Sequence, residues 1–281
     1  MLYVLYNSKA NNNTGETLAK EFSKTLQDEH KLISLANIDI VSFVTPLKSE
    51  DKIILLGGDG TLNRFVNDIG DIKLKPKLFF KSIGTGNDFI NDINNDKNEL
   101  LEITDYIYNL PVVEVNGMKR KFINGIGYGI DGYCCEVADK LKKKSNKPIN
   151  YTAIAIKGLL FYFKRVKAKL TIDGKEYYHK HVWLAPTMNG RFYGGGMNIA
   201  PNQDRRKKPK TLTTVIFKGK SKLHTLMVFP SIFKGKLGNN KKMTAYYTGR
   251  DIKVEFDKPT ALQIDGETVL GVTTYSVRVN D

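Results

Sequence analysis

Two glycine-rich segments in the first third of the chain have the composition of phosphate-binding loops. The first follows an apolar run directly and reads Gly57-Gly58-Asp59-Gly60-Thr61-Leu62-Asn63. Glycines permit a tight turn close to a ligand, and the N–H groups at a following helix start bind phosphate oxygens. Thr61 and Asn63 are predicted to add hydrogen bonds, and Asp59 to organise the loop or reach Mg²⁺ through water. A plain strand-to-helix turn would not require three glycines.

The second segment repeats this arrangement after the next apolar run. It reads Gly84-Thr85-Gly86-Asn87-Asp88-Phe89. Considered alone, it is equally well explained as a turn capped by Asn87 or Asp88. Ligands of open α/β sheets, however, bind in the crevice beyond the carboxyl ends of the strands. Two glycine segments at the ends of neighbouring strands therefore predict a nucleotide site.

The elements that must position these segments alternate in type over the first 110 residues. Apolar runs predict strands at residues 2–6, 38–44, 53–56 and 77–83. Apolar spacing of three and four predicts helices over residues 14–29 and 62–69, and a further helix from about residue 87. Such alternation is typical of a parallel α/β unit.

From about residue 111 the pattern changes to β. Asn116-Gly117 and Asp173-Gly174 lie between strand-like runs, which is the strongest short hairpin signal. Further strands are predicted at residues 211–217, 251–256, 261–264 and 275–279. Helices are predicted near residues 150–163 and 221–233, and a basic loop at residues 205–210. We expect an α/β domain over residues 1–112 and a β-rich domain over residues 113–281.

Charge is distributed unevenly between the two parts. Residues 1–110 hold 12 Lys and Arg against 16 Asp and Glu, a net of −4, whereas residues 111–281 hold 32 against 13, a net of +19. This asymmetry predicts a partner that carries many phosphates, either nucleic acid or an anionic membrane. Basic and aromatic residues are mixed at 140–144 and 157–165, as at a membrane interface, in a nucleic-acid groove or on an amphipathic core helix.

Secretion and membrane spanning are not expected. The N-terminus lacks the basic and apolar regions of a signal peptide. The longest nearly apolar run, residues 151–163, is shorter than the roughly 20 residues that a spanning helix needs. The two cysteines are adjacent, at Cys134 and Cys135, which excludes a disulfide framework and zinc-ligand spacing. A soluble, cytoplasmic protein is predicted.

The two glycine segments together resemble the diacylglycerol kinase catalytic-domain family, which includes bacterial lipid kinases and is related to sphingosine kinases and, more distantly, to NAD kinases. The first segment also fits NAD kinases, so the second discriminates between them. Further matches follow in the family's order at Phe122-Ile123-Asn124-Gly125, Gly129-Ile130-Asp131, Asn189-Gly190-Arg191-Phe192-Tyr193-Gly194-Gly195-Gly196-Met197, Ala200-Pro201 and Asp265-Gly266-Glu267. The resemblance covers nearly the whole chain.

The resemblance implies a nucleotide-binding α/β domain, a β-sandwich-like second domain and an active site in the cleft between them, with a chain end able to return to the first domain. It implies transfer of the γ-phosphate of ATP, with Mg²⁺, to a lipid hydroxyl, with diacylglycerol as the leading acceptor. The alternatives are another membrane lipid, or a catalytically weakened regulator that binds nucleotide and membrane. We expect peripheral membrane association and no nucleic-acid partner, and a homodimer is allowed.

The resemblance also assigns catalytic residues in the last part of the chain. Asp265 matches the position of the family's proposed general base, which would accept the proton of the lipid hydroxyl. Glu267 is a weaker expectation as a metal ligand or as a residue supporting one. An Asp-Gly pair is also a common hairpin turn, as expected for Asp173-Gly174, so a purely structural role for Asp265 is the alternative.

Three positions depart from the family pattern. Arg64 stands where a Glu is usual, and Asn91 stands where an Arg is usual. A segment that helps to hold a structural Mg²⁺ in the family is replaced by residues 205–210, which leaves Asp204 as a weak metal-ligand expectation. Lys9, in the segment Asn7-Ser8-Lys9-Ala10 after the first strand, is a candidate for a compensating phosphate contact, although a solvated lysine is more common.

Overall fold

In a computed structural model, which describes residues 1–8, 14–83, 87–93, 99–144 and 149–279, the chain divides into two units, Met1–Leu110 and Pro111–Asp281. The predicted architecture, a mostly parallel α/β sheet followed by a β-rich domain, is confirmed. Among the described helices, none combines the length and the apolar character needed to cross a membrane.

The first unit is built on a five-stranded sheet. Its strands are β1 (Leu2–Tyr6), β2 (His30–Ser34), β3 (Lys52–Gly57), β4 (Lys77–Ser82) and β5 (Leu101–Glu102). They lie in the order β2-β1-β3-β4-β5, and only β5 runs antiparallel to its neighbour. The central strand β3 is buried from Ile53 to Gly57, as its uninterrupted apolar sequence predicts.

Four helices connect these strands. They are α1 (Gly15–Ser23), α2 (Ile40–Val44), α3 (Asp59–Asp68) and α4 (Asp88–Ile93), and a single 3₁₀ turn follows at Thr104–Tyr106. The predicted helical face of α3 is confirmed, because Leu62, Phe65 and Val66 are all buried. Helix α1 ends at Ser23, six residues before the predicted end, although Leu26 still packs against the core.

The strand predicted at residues 38–44 is wrong, because α2 occupies this segment. Oδ1 of Asp39 caps the helix by accepting a hydrogen bond from the Ser42 N–H at 2.8 Å, and Ile40 and Val44 bury one helical face. The true strand here is β2, which the sequence did not indicate. β2 lies at the sheet edge and buries only Ser34 fully, so its apolar pattern is weak.

The second unit contains a ten-stranded sheet and a separate two-stranded one. Its strands are β6 (Val112–Val115), β7 (Met118–Lys121), β8 (Gly125–Tyr128), β9 (Val166–Ile172), β10 (Lys175–Leu184), β11 (Thr187–Met188), β12 (Phe192–Tyr193), β13 (Met197–Asn198), β14 (Leu212–Lys218), β15 (Thr244–Gly249), β16 (Asp251–Ile264) and β17 (Glu267–Arg278). Because β16 pairs with both β8 and β9, the six strands β16-β8-β11-β14-β10-β9 close into a barrel-like ring.

Helices cover parts of this second sheet. They are α5 (Ile130–Lys142), α6 (Tyr151–Lys157) continuing into a π-helix (Gly158–Tyr162), and α7 (Lys222–Val228), followed by 3₁₀ turns at Phe229–Lys234 and Leu237–Asn239. Helix α5 was not predicted, although Ile130, Cys134 and Ala138 bury one face at a spacing of four. It packs so closely on β16 that a Cβ on Gly132 would lie 1.9 Å from the Ala261 carbonyl oxygen.

Three hairpins of this unit share one turn geometry. Asn116-Gly117 and Asp173-Gly174 have positive φ at both residues, as type I′ turns require, which confirms both predicted hairpins. Asp265 (φ 45°) and Gly266 (φ 94°) form the same turn between β16 and β17. The two strands predicted at 251–256 and 261–264 are one strand, β16.

Candidate functional site

The first glycine segment lies where β3 ends and α3 begins. Gly57 is the last residue of β3, Gly58 caps the helix with extended backbone, and α3 starts at Asp59. The Ile83 N–H donates to the Gly57 carbonyl at 3.0 Å, which continues the β3–β4 pairing past the end of β4. The two glycine segments therefore leave adjacent strands at one edge of the sheet.

Asp59 connects these two segments. Its Oδ2 accepts a hydrogen bond from the Asp88 N–H at 2.8 Å, and its Oδ1 is 3.4 Å from the Phe89 nitrogen. Both donors belong to the first turn of α4, so a carboxylate from one motif caps the helix of the other. A negative charge at this position also interacts favourably with the positive end of the helix dipole. Asp59 thus connects the first glycine segment to the start of α4.

The polar residues where β3 and β4 end are buried or half-buried. Asn7 Nδ2 lies 3.5 Å from Thr61 Oγ1, and Ser82 Oγ donates to Asn87 Oδ1. Asn63 is only 1% exposed, and its backbone oxygen accepts from Asn67 Nδ2 at 2.8 Å within α3. The residues Lys9, Gly84, Thr85 and Gly86 lie outside the described residues.

Two glycines of the first motif have different surroundings. A Cβ on Gly57 would lie 2.3 Å from the Thr61 Cβ, so glycine is required there for packing. A Cβ on Gly60 would meet nothing within 4 Å, so packing within the chain does not explain that glycine. Open space beside a glycine at a helix start is what a phosphate-binding loop needs.

Arg64 and Asn91, the two residues of the first unit that depart from the family pattern, each form a local contact within or beside their own helix. Arg64 forms an exposed pair with Asp68 one turn later, with 3.3 Å between Nε and Oδ2. The Asn91 N–H donates to the Asn87 carbonyl within α4. Neither contact involves a residue of the first glycine segment.

In the second unit, the Asp265 side chain is bound by a distant backbone segment. Its Oδ1 accepts from the Asn124 and Gly125 N–H groups at 2.9 and 3.0 Å, and its Oδ2 accepts from the Ile123 N–H at 2.5 Å. The Asp265 N–H donates in turn to the Gly125 carbonyl at 3.1 Å. Asp265 is therefore both a turn residue, as the alternative held, and the anchor of residues 123–125.

A third motif segment joins this network. The Asn189 and Gly190 N–H groups donate to the Asn124 carbonyl at 2.9 and 3.0 Å, and Asn189 Nδ2 donates to the Ile123 carbonyl at 2.7 Å. Asn124 and Asn189 are both almost fully buried. Asn124-Gly125, Asn189-Gly190 and Asp265, far apart in sequence, thus form one hydrogen-bonded cluster.

The cationic loop at 205–210 enters this cluster through Arg205. Its guanidinium donates to the Ile123 carbonyl at 3.3 Å and to Asn124 Oδ1 at 3.1 Å. Burial, reinforced by the Arg205 charge, lowers the pKa of Lys210 to about 8. A buried lysine beside an arginine is the opposite of the anionic oxygen ligands that a divalent cation needs.

Asp204 does not provide such a site. Its Oδ1 accepts from the Arg206 N–H at 2.8 Å. Over the ranges that the structure describes, no group of three or more His, Cys, Asp or Glu side chains could hold a metal ion. The residues present at 204–210 do not fit the structural Mg²⁺ that the family resemblance implied.

Glu267 lies outside the hydrogen-bonded cluster of Asp265. Its side chain is about half exposed and forms an ion pair with Arg120 of β7, on the far side of the intervening strand β6. An ion pair with this exposure contributes little to stability. The two acidic residues of the motif thus have different environments.

Asp131 is a titratable residue of the second unit for which no role was predicted. It belongs to the motif Gly129-Ile130-Asp131. Burial raises the pKa of Asp131 to about 7, opposed by a hydrogen bond from the Tyr193 hydroxyl to Oδ2 at 2.8 Å. A Cβ on Gly127 would lie 2.9 Å from that same oxygen, so glycine leaves room for the carboxyl group. Burial also raises the pKa of the neighbouring Cys135 thiol to about 12, which excludes a thiolate nucleophile at neutral pH.

Family comparisons agree with the motifs and with this geometry. Residues 1–119 match the diacylglycerol kinase catalytic domain, and residues 124–280 match the YegS C-terminal NAD kinase beta sandwich-like domain. The chain belongs to the family that joins a diacylglycerol kinase catalytic domain to a YegS-like C-terminal domain. The resemblance indicated by the motifs is thereby confirmed, and kinases of this family use ATP.

Individual relatives of this diacylglycerol kinase family member are distant. A diacylglycerol kinase of Bacillus subtilis (strain 168) is 25% identical over 228 residues, covering 79% of this chain and 72% of its own. A diacylglycerol kinase of Mycobacterium tuberculosis (strain CDC 1551 / Oshkosh) is 25% identical over 196 residues, covering 67% and 62%. A crystal structure of a diacylglycerol kinase from Bacillus anthracis str. Sterne superposes with a TM-score of 0.67 at 22% identity, covering 99% of this chain and 93% of that one, and supports the fold alone.

Proposed function

We propose that this protein transfers the γ-phosphate of ATP, supplied as its Mg²⁺ complex, to the hydroxyl group of a membrane lipid. Diacylglycerol is the proposed acceptor and phosphatidic acid the product. The lipid oxygen bonds to the γ-phosphorus, the bond from that phosphorus to the β,γ-bridging oxygen breaks, and ADP leaves. The observation that carries this proposal is the Asp59 carboxylate on the Asp88 N–H, which couples two glycine motifs in a family of ATP-dependent kinases.

We assign nucleotide binding to the carboxyl ends of strands β3 and β4 in the first unit. The start of the ten-residue helix α3, at the positive end of its dipole, and the open space beside Gly60 suit phosphate oxygens. Asn7, Thr61, Asn63, Asn87 and Asp88 support or line this edge, and Gly58 provides its extended turn. Lys9 and residues 84–86 are proposed to complete it.

We assign proton transfer to Asp265 in the second unit. Its position in the family motif supports the role of base for the lipid hydroxyl, and three backbone donors hold its carboxylate in one orientation. Glu267, whose side chain remains about half exposed, is proposed as a secondary ligand of the nucleotide's Mg²⁺. Asp204 is given no part in the reaction.

A second candidate function is regulation by binding without turnover. The observations that favour it are Arg64 and Asn91 in place of the family's usual residues, and a cationic loop in place of its metal-holding segment. Such a protein would bind nucleotide and membrane but transfer no phosphate. A kinase of a different membrane lipid is the closer variant, since scattered apolar residues build acceptor pockets.

Phosphate transfer from ATP labelled at the γ-position into a total lipid extract tests these alternatives. The purified chain with Mg²⁺ is expected to label one lipid that comigrates with phosphatidic acid and to label pure diacylglycerol in detergent micelles. Label in another lipid changes the acceptor. No label, together with calorimetric nucleotide binding, indicates the regulator and overturns the kinase proposal. The Asp265→Asn protein serves as the background control.

A further inference from the structure

Four large apolar side chains on two segments of the second unit are about two-thirds exposed. Phe161 and Tyr162, at the end of the π-helix, are 71% and 66% exposed, and Leu223 and Met227, one turn apart on α7, are 68% and 67% exposed. We call these four side chains the apolar patch. A surface helix normally turns its apolar residues inward, so this exposure is the reverse of the usual pattern. Clustered exposed apolar residues mark an interaction surface.

Direct hydrogen bonds join the two segments that carry the apolar patch. Lys222 Nζ donates to the Leu160 carbonyl at 2.5 Å, and the Arg165 guanidinium donates to the Gly219 carbonyl at 3.0 Å and to the Lys220 carbonyl. The α7 helix is anchored beneath by Thr225, which is fully buried. The two elements that carry the apolar patch are therefore hydrogen-bonded to each other.

A basic cavity continues from the C-terminal end of α7. Val228, the last residue of that helix, lines it, and its polar lining consists of Ser231, Lys236, Asn239, Asn240, Lys241 and Lys242. We call this the lysine pocket. None of its three lysines forms an ion pair with a residue in the described ranges. The buried Ser231 Oγ has no hydrogen-bond partner in the described ranges, and the three lysines line the same space.

The sequence around these features contains no carboxylate. Residues 140–172 hold 10 Lys and Arg, residues 205–250 hold 13, and neither stretch has an Asp or Glu. Glu136, which lines a second cavity together with Tyr162, is paired with Lys140 at 2.5 Å. The apolar patch and the lysine pocket therefore lie on elements with an excess of positive charge.

We propose that the apolar patch and the lysine pocket form the surface by which this protein docks on an anionic phospholipid bilayer. The apolar patch enters the boundary between headgroups and acyl chains, and the lysine pocket receives a headgroup phosphate. A bilayer fits better than nucleic acid, because half of the apolar patch is aliphatic: Leu223 and Met227 offer no ring on which a base could stack, whereas acyl chains accept them as well as Phe161 and Tyr162. The proposal rests on the proposed function only in that a membrane lipid is the acceptor.

Cosedimentation with vesicles tests the apolar patch. The double variant Leu223→Gln/Met227→Gln is expected to partition about tenfold less onto phosphatidylglycerol–phosphatidylcholine vesicles, a ratio that corresponds to about 1.4 kcal/mol. Tyr178→Gln is the matched control, because Tyr178 is equally exposed (68%) but lies on β10, and it should partition like the wild type. Unchanged unfolding temperatures establish that both variants are folded. Equal partitioning of the wild type and both variants would contradict the proposal that the apolar patch contacts the bilayer.

A charge-matched comparison tests the lysine pocket. Lys236→Gln/Lys241→Gln/Lys242→Gln is expected to abolish the preference for anionic over neutral vesicles. Lys142→Gln/Lys143→Gln/Lys144→Gln removes the same charge at the exposed end of α5 and should retain most of that preference. If both triple variants lose this preference equally, net charge alone attracts the protein to the vesicles. That result would contradict a specific role of the lysine pocket. Binding of inorganic phosphate or RNA with no preference for anionic vesicles overturns the bilayer as the occupant.

Failure of docking and failure of the kinase proposal give different results. Vesicle binding is measured without ATP, whereas phosphate transfer is measured on a short-chain diacylglycerol in detergent micelles. A wild-type protein that phosphorylates the micellar substrate but ignores anionic vesicles contradicts only the docking surface. A protein that binds anionic vesicles through the lysine pocket but labels no lipid contradicts only the kinase proposal.

Discussion

The two candidate sites are assembled over very different sequence distances. At the sheet edge of the first unit, Asp59 contacts Asp88 only 29 residues later, across two consecutive strand-to-helix connections. In the second unit, Asp265 contacts Asn124 from 141 residues away. Parallel strands place their carboxyl ends along one edge by topology, so local motifs suffice in the first unit. In the second unit, the Asp265 side chain contacts residues 123–125, which only the tertiary fold places beside it.

The two sites also hold their carboxylates differently. Asp59 caps a short helix, whereas Asp265 is enclosed by three N–H groups of one backbone segment. Loss of a carboxylate oxygen should therefore affect a binding step in the first unit, and both chemistry and folding in the second.

Asp265→Asn is expected to have the largest effect. Turnover should fall by at least about a hundredfold, the low end of general-base contributions. The amide nitrogen cannot accept from the Ile123 N–H, so the free energy of unfolding should also fall by about 1–3 kcal/mol. Both are measured, by initial rates and by urea denaturation. Glu267→Gln is the control and should change stability by less than about 1 kcal/mol, since its ion pair is exposed. Near wild-type turnover in folded Asp265→Asn protein would remove the base assignment.

Asp59→Asn tests the link between the two glycine motifs. Asp59 uses both carboxylate oxygens on the first turn of α4, and an amide keeps only one acceptor. The nucleotide dissociation constant should rise about tenfold, consistent with losing a hydrogen bond to a charged group. Calorimetric titration with ATP measures it. The control is Asp39→Asn. Asp39 caps α2 in the same unit through a single oxygen, so this substitution should leave nucleotide affinity unchanged. Equal affinities of both variants would mean that the link is structural only.

Two alanine substitutions separate packing from ligand binding within one motif. Gly57→Ala should destabilise the protein by about 1–3 kcal/mol, because its Cβ would overlap the Thr61 side chain. Gly60→Ala should stabilise the helix by about 0.5–1 kcal/mol, because glycine is unfavourable in helices. If phosphate occupies the open space there, the same substitution should weaken ATP binding several-fold. Thermal unfolding and ATP titration of both variants decide this, and undiminished ATP affinity in Gly60→Ala contradicts the phosphate site.

The effect of Asp131 is expected as a pH dependence of stability. Its raised pKa of about 7 means that, between about pH 4 and 7, the folded state keeps a proton that the unfolded chain has lost. The contribution of Asp131 to the free energy of unfolding is therefore most favourable at low pH and declines as the pH rises from about 4 to about 7. Asp131→Asn should therefore raise the unfolding temperature more at pH 8 than at pH 4. Asp39, whose pKa is lowered by the Ser42 N–H, provides the control of opposite sign. A pH-independent difference would contradict the raised pKa.

Prediction from sequence succeeded where a short segment contains its own signal. The uninterrupted apolar run of β3, the spacing on α3 and the two Asn-Gly and Asp-Gly hairpins were all indicated correctly. It failed at α2, where five apolar-rich residues fit a strand as well as a helix, and the capping contact of Asp39 decided for the helix. It also missed β2, since an edge strand with two apolar residues has almost no pattern.

The sequence by itself determined the family, the order of the two architectures and the residues on which chemistry was expected, because motifs and periodicity are local properties of the chain. Only the tertiary structure decided what those residues contact. The Asp265 carboxylate binds the N–H groups of residues 123–125, and the Arg205 guanidinium binds the carbonyl of Ile123 in the same segment. Phe161 and Leu223 came to be exposed on joined elements. Contacts between residues tens to more than a hundred positions apart depend on how strands pair and helices pack, and no local pattern encodes them.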